Sequence, residues 1–167
     1  MASEIKVDTI VNAGGDNDTG IDLATNDQIL LKVANATKLT MNSTGQTTIV
    51  GEGGTTTTSV QQGLCKVWVN YTGVSTTASR DSLNVSSLTD VSTGITTVNI
   101  SNSFNNTDYT GSYYTNANSG SSLGSFSNHH VGMFGNRQTS SYQHHTYTAS
   151  AVVDSFHNDS TVFGDLA

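Results

Sequence analysis

Five histidines, His129, His130, His144, His145 and His157, all lie between positions 129 and 157. Neutral imidazole is the commonest ligand for divalent transition metals, so the clustering raises a metal reading. Adjacent residues of a strand point to opposite faces, and only one histidine of each H-H pair can reach a common ion. A site on His129, His130, His144 and His145 is therefore the lesser reading, and exposed or hydrogen-bonded histidines with no metal and no cofactor are expected. Asp16, Asp18 and Asp22 in GGDNDTGID offer oxygens at alternate positions, as a calcium loop does. No bidentate glutamate follows at the twelfth position, and a plain Asx-turn is the expected reading. GSSLG at 120–124 matches G-x-S-x-G in letters, but Ser122 has neither a buried strand before it nor a helix after it. Cys65 is the one cysteine, and in an alternating strand it reads as a small buried hydrophobe. No catalytic residue is expected. Recognition chemistry is better represented, because tyrosine with Ser, Asn and His combines large contact area with adaptable hydrogen bonding. Tyr113, Tyr114, His129, His130, Tyr142, His144, His145 and Tyr147 are the candidate receptor-facing residues. The competing reading is that these tyrosines fill a core.

The chain that must position them has 167 residues, with 6 Lys+Arg against 13 Asp+Glu and a formal net charge of −7. Only 11% of positions are charged, whereas about 25% is usual. Serine, threonine and asparagine make up more than a third, and 16 glycines, no proline and 34% hydrophobic residues favour turns and strands over helices. So few large apolar residues leave a lone chain a thin core, and subunit association is expected to supply more burial. Six scattered basic residues cannot neutralise a row of phosphates, which argues against nucleic-acid binding. MASEIKVDTI has neither a basic n-region nor an apolar h-region, and no run approaches the ~18 apolar residues of a membrane span. Synthesis in a cytosol without membrane insertion is expected.

Residues 4–11 (EIKVDTIV) alternate and read as a strand-like arm carrying Ile5, Val7, Ile10 and Val11. Three short strands follow at 28–33, 37–41 and 46–50, separated by small-residue turns and each too short to stand alone. GEGGTTTTS at 51–59 has the composition of a flexible linker. In LCKVWVNY at 64–71, Cys65, Val67, Val69 and Tyr71 share one face and Leu64 and Trp68 the other. Further strands are predicted at 81–85, 95–101, 109–115, 129–134, 142–153 and 161–163. Their spacing, with Gly, Asn and Ser between, is that of a sandwich or barrel.

Residues 30–51, LLKVANATKLTMNSTGQTTIVG, resemble a short module of bacteriophage tail fibres. There, strands alternate with an N-G-T turn and a D-S-S-G or T-T-G turn. The counterparts here are Asn35-Ala36-Thr37 and Asn42-Ser43-Thr44-Gly45, with Ala36 where the family often has glycine. KVWVNY at 66–71, SRDSLNVSSLTD at 79–90, GITTVNI at 94–100 and VFGDLA at 162–167 are similar to the C-terminal domain of marine, cyanophage-like fibre proteins. The resemblance implies a non-enzymatic homotrimeric virion protein made in the host cytoplasm. It implies an all-β fold: short intertwined N-terminal strands at 1–50, a Gly/Thr linker at 51–60 and an antiparallel β-sandwich knob at 61–167. The arm, through Ile5, Val7, Ile10 and Val11, would attach to tail or capsid proteins, and the knob would bind a host surface glycan or protein. A capsid decoration protein or head fibre is the first rival, and a polysaccharide-degrading spike the second.

Overall fold

The computed structural model describes residues 7–11, 19–24, 27–51, 53–116 and 131–167. Ile5, Asp16, Asp18, Ser122, His129 and His130 lie outside the described residues. The chain is all-β with antiparallel sheets, and it divides into two compact units, Met1–Leu64 and Cys65–Ala167.

The first unit is a six-stranded sheet whose strands pair in sequence order. They are β1 (Thr9–Val11), β2 (Gly20–Asp22), β3 (Ile29–Val33), β4 (Ala36–Met41), β5 (Thr47–Val50) and β6 (Thr57–Ser59). Short strands find partners in their own chain because each turn reverses direction cheaply. Ala34 and Asn35 take positive φ between β3 and β4, and Gly45 does so between β4 and β5. Asn42 Oδ1 accepts from the backbone N–H groups of Thr44 and Gln46, tying the second turn. The Gly/Thr stretch departs from the linker expectation, since Thr57–Ser59 adds a strand to β5. Threonine suits a strand at the sheet edge even without an apolar partner. Ser59 then caps the single turn α1 (Val60–Gly63), accepting from the Gln62 N–H. β2 also falls in a stretch that reads as turn; there Asp22 accepts from Lys32 on β3.

The second unit holds two four-stranded antiparallel sheets. One runs β11 (Thr110–Asn116), β14 (His157–Phe163), β7 (Val67–Thr72), β8 (Ala78–Leu83). The other runs β12 (Val131–Gln138), β13 (Ser141–Tyr147), β10 (Ile95–Ile100), β9 (Val85–Ser92). Period-two alternation sends Val67, Val69, Tyr71 and Val162 from the first sheet, and Val98, Ile100 and Tyr142 from the second, into one core. Phe104 and Tyr109, from the segment joining β10 to β11, complete it. The predicted strand at 81–85 straddles a corner. Asn84 turns there with φ of 59°, and its side chain holds Asn102 through both the N–H and the carbonyl. The strand predicted at 142–153 ends at Tyr147, beyond which residues 148–156 cross to the other sheet.

Candidate functional site

The strands that build the core also set the outward residues. In β7, Val67, Val69 and Tyr71 point inward, so Trp68 and Asn70 face out. In β14, Asn158, Ser160 and Val162 are buried and Asp159 and Thr161 face out. In β11, the same alternation leaves Ser112 and Tyr114 outward. Register aligns these as two rows: Ser112, Thr161 and Trp68 in one, Tyr114, Asp159 and Asn70 in the next. The result is an open groove of about 430 Å³ on the outer face of this sheet. Trp68 and Tyr114 stand at its diagonal corners, two strand spacings across β14 and two residues along it, roughly 12 Å between their backbone positions.

A polar chain crosses the groove. Arg80 Nη1 donates to Asn70 Oδ1 at 3.3 Å, and Asn70 Nδ2 donates to Asp159 Oδ1. Arg80 itself is braced, with Nη2 on the Phe156 carbonyl at 2.6 Å and its guanidinium 4.9 Å from the centre of the Phe156 ring. Thus the Asn70 amide and the Asp159 carboxylate are held in place in the groove beside Trp68 and Tyr114, with the Arg80 guanidinium bracing Asn70 from β8. Asp81 lies directly opposite Asn70 on β8, extending the row.

The residues singled out in the sequence separate into three places. Tyr114, 55% exposed, stands in the groove. Tyr113, Tyr142 and His144 turn inward, so these three are corrected from receptor-facing to interior positions. Tyr142 and His144 are fully buried, and Tyr113 is half-buried against them. The His144 ring lies flat between Tyr113 (centroids 3.9 Å apart) and Tyr71 (5.7 Å). Its Nδ1 shares a hydrogen bond with the Tyr71 hydroxyl at 3.1 Å, while its Nε2 is buried with no partner among the described residues. Burial, helped by neighbouring His145, pushes the His144 imidazole down to about 3. Burial likewise raises the Tyr71, Tyr113 and Tyr142 hydroxyls above their ordinary range. Tyr113 donates to Asn158 Oδ1 at 2.6 Å, and Tyr142 meets Ser160 at 3.1 Å. His145 and Tyr147 occupy a third place, the outer face of the other sheet, hydrogen-bonded to each other at 3.2 Å.

The histidine pair 144/145 does not converge on a metal, since its rings lie on opposite faces of β13. Among the described residues no group of three or more His, Cys, Asp or Glu is placed to hold an ion. Asp22, the described member of the acidic trio, is taken up by Lys32 and by the Ala24 N–H. Cys65 Sγ lies against the carbonyl oxygens of Val67 and Val162. Trp68, Asn70, Arg80 and Asp159 are the groove residues that motif reasoning missed. For Trp68 and Asn70 the signal was the polar and aromatic phase of LCKVWVNY, opposite the apolar one, whereas Arg80 and Asp159 lie outside that run and join them only through strand pairing. No protein-family model, curated protein or solved structure matches the chain.

Proposed function

We propose that this chain is a non-enzymatic bacteriophage virion protein, a short homotrimeric fibre that binds a host surface glycan through the groove of its second unit. The observation that carries the reading is the pairing of Trp68 and Tyr114 around the fixed Arg80–Asn70–Asp159 chain. A pyranose has apolar C–H faces and a rim of hydroxyls. Aromatic side chains take the faces, and preset amides, carboxylates and guanidinium groups take the rim. An open groove on a sheet suits a polymer that continues past the site on either side. Resemblance of residues 30–51, 66–71, 79–90, 94–100 and 162–167 to fibre proteins supports the virion setting. Attachment to tail or capsid proteins belongs to the first unit, where Val7 and Val11, on the face of the arm opposite Ile10, are 43% and 44% exposed.

Trp68 is the only tryptophan in the chain, so its fluorescence reads the groove directly. Titration with a panel of neutral, amino and acidic oligosaccharides is expected to change the emission for at least one class. Trp68→Phe should weaken binding of that class, measured by calorimetry, by about tenfold, the loss of a partial aromatic contact. Tyr114→Ala should weaken it comparably. A panel that leaves the emission and the calorimetric baseline unchanged would sink the glycan reading. Release of reducing ends from the panel would instead mark Asp159 and Asp81 as a carboxylate pair of a cleaving spike. Cryo-EM of purified particles tests the other half: trimers projecting from particles support the fibre, and a shell coated in many copies would favour decoration.

A further inference from the structure

Among its described residues the first unit is a single-layer sheet whose two faces differ. Residues directly opposite in an antiparallel ladder share a face, so the registers can be followed from strand to strand. Ile10 faces Ile21, Ile21 faces Leu31, Leu31 faces Leu39, and Leu39 faces Ile49. Five aliphatic side chains thus stand in one row across five strands, ending at Thr58 on β6. Ile29, Met41 and Thr47 form a second row beside it. The opposite face carries Thr9, Asp22, Leu30, Thr40, Thr48 and Ser59 in one row, four of them hydroxylated and one charged, and Val11, Gly20 and Lys32 in the row beside it.

The aliphatic face is open. Ile10 is 53% exposed, Ile29 40%, and Leu31, Met41 and Ile49 38% each, with Val33 at 50% beside them. A sheet with one apolar face needs a second layer, and α1, one turn long, is no such layer. We propose that this face is the surface on which copies of the chain meet, other copies laying the same face against it. The inference rests on the trimeric part of the proposed function and locates it.

Three observations select another copy as the occupant. The chain carries a net charge of −7, so two copies repel except across uncharged surface. None of the paired positions on this face bears an ionisable side chain. Side chains recurring along each row at the ~4.8 Å strand separation also match themselves, so ridges of one copy can seat between those of the next. The area is consistent as well. With on the order of 500 Å² of apolar surface open per copy, a pair buries on the order of 1,000 Å², the lower edge for a specific contact, whereas three faces closing on one axis bury about 1,500 Å².

Sedimentation equilibrium of the full chain is expected to show an assembly. Leu31→Glu, at the centre of the row, should dissociate it, while Thr40→Glu on the opposite face should leave its mass unchanged. Because Leu31→Glu also disturbs a strand, a gentler probe runs beside it. In a Cys65→Ser background, Leu31→Cys should form disulfides between chains about tenfold faster than Thr40→Cys, since the central residue meets its own counterpart near the axis. An assembly that survives Leu31→Glu, or one in which the two cysteines cross-link equally, overturns the face but leaves the trimeric reading standing. A wild-type chain that stays monomeric at every concentration overturns both.

Discussion

His144 illustrates how a residue that invites a functional reading can serve packing. Its imidazole is stacked between Tyr113 and Tyr71, accepts or donates one hydrogen bond at Nδ1, and has no room for charge. Its folded pKa of about 3 lies below the ordinary value of 6.5, so the unfolded chain binds a proton that the folded chain refuses. The stability it allows is complete above pH 6.5 and declines as pH falls from there towards 3. Urea titrations followed by Trp68 fluorescence should therefore show a loss between pH 7 and pH 4 of roughly 3 kcal/mol from this group. His144→Leu should be less sensitive over that interval by about the same amount; an equal slope in both proteins would refute the assignment. The YQHHTY and YY motifs were legible as strand, but not as to which of each adjacent pair faced out. Phase is set by the partner sheet, and no local feature distinguishes Tyr113 from Tyr114 until Asn158 and Thr146 are placed to bond the Tyr113 hydroxyl.

Among the elements, the β9–β10 turn is the one on which the second unit's crossing segment depends. Gly94 has φ of +67°, and a Cβ there would lie 2.7 Å from both the backbone N and O of Val153. Its N–H donates to Asp154 Oδ1 at 2.6 Å, and its carbonyl accepts from Thr146 at 2.8 Å. Gly94→Ala combines an unfavourable backbone with overpacking against main chain, which should cost about 2–4 kcal/mol, measured by equilibrium unfolding. Gly53→Ala, with open space around its Cβ, should cost under about 1 kcal/mol. Strands with strong alternation or clear turn residues, β3, β4, β5, β7, β10 and β11, were legible to within a residue or two apart from the start of β7. β9 was missed because VSSLTDVS is an exposed edge strand whose partner, β10, supplies the ordering. β2 and β6 are three residues each, too short to show a period, and exist because β3 and β5 offer them an edge. The groove was illegible for a related reason: its residues come from β7, β8, β11 and β14, and only sheet order makes them neighbours.

At the scale of the whole molecule, the two units bury their apolar residues by different means, and their melting should differ accordingly. The second unit closes two sheets over a core that holds nine buried hydrophobic residues among those described, so its burial is intramolecular. The first unit has no second layer among its described residues, and under the proposed assembly its aliphatic row gains burial when copies meet. Mass action then makes the first unit's melting temperature rise with protein concentration, while the second unit's stays fixed. The probes separate them, because Trp68 reports only the second unit and far-UV circular dichroism reports both. A hundredfold increase in concentration should move the circular-dichroism transition of the first unit upward by several degrees and leave the fluorescence transition within about 1 °C. Leu31→Glu should abolish the concentration dependence without shifting the fluorescence transition. A single transition, seen alike by both probes and independent of concentration, would mean that the first unit is stabilised within its own chain and that the aliphatic face is covered by something other than a copy of itself.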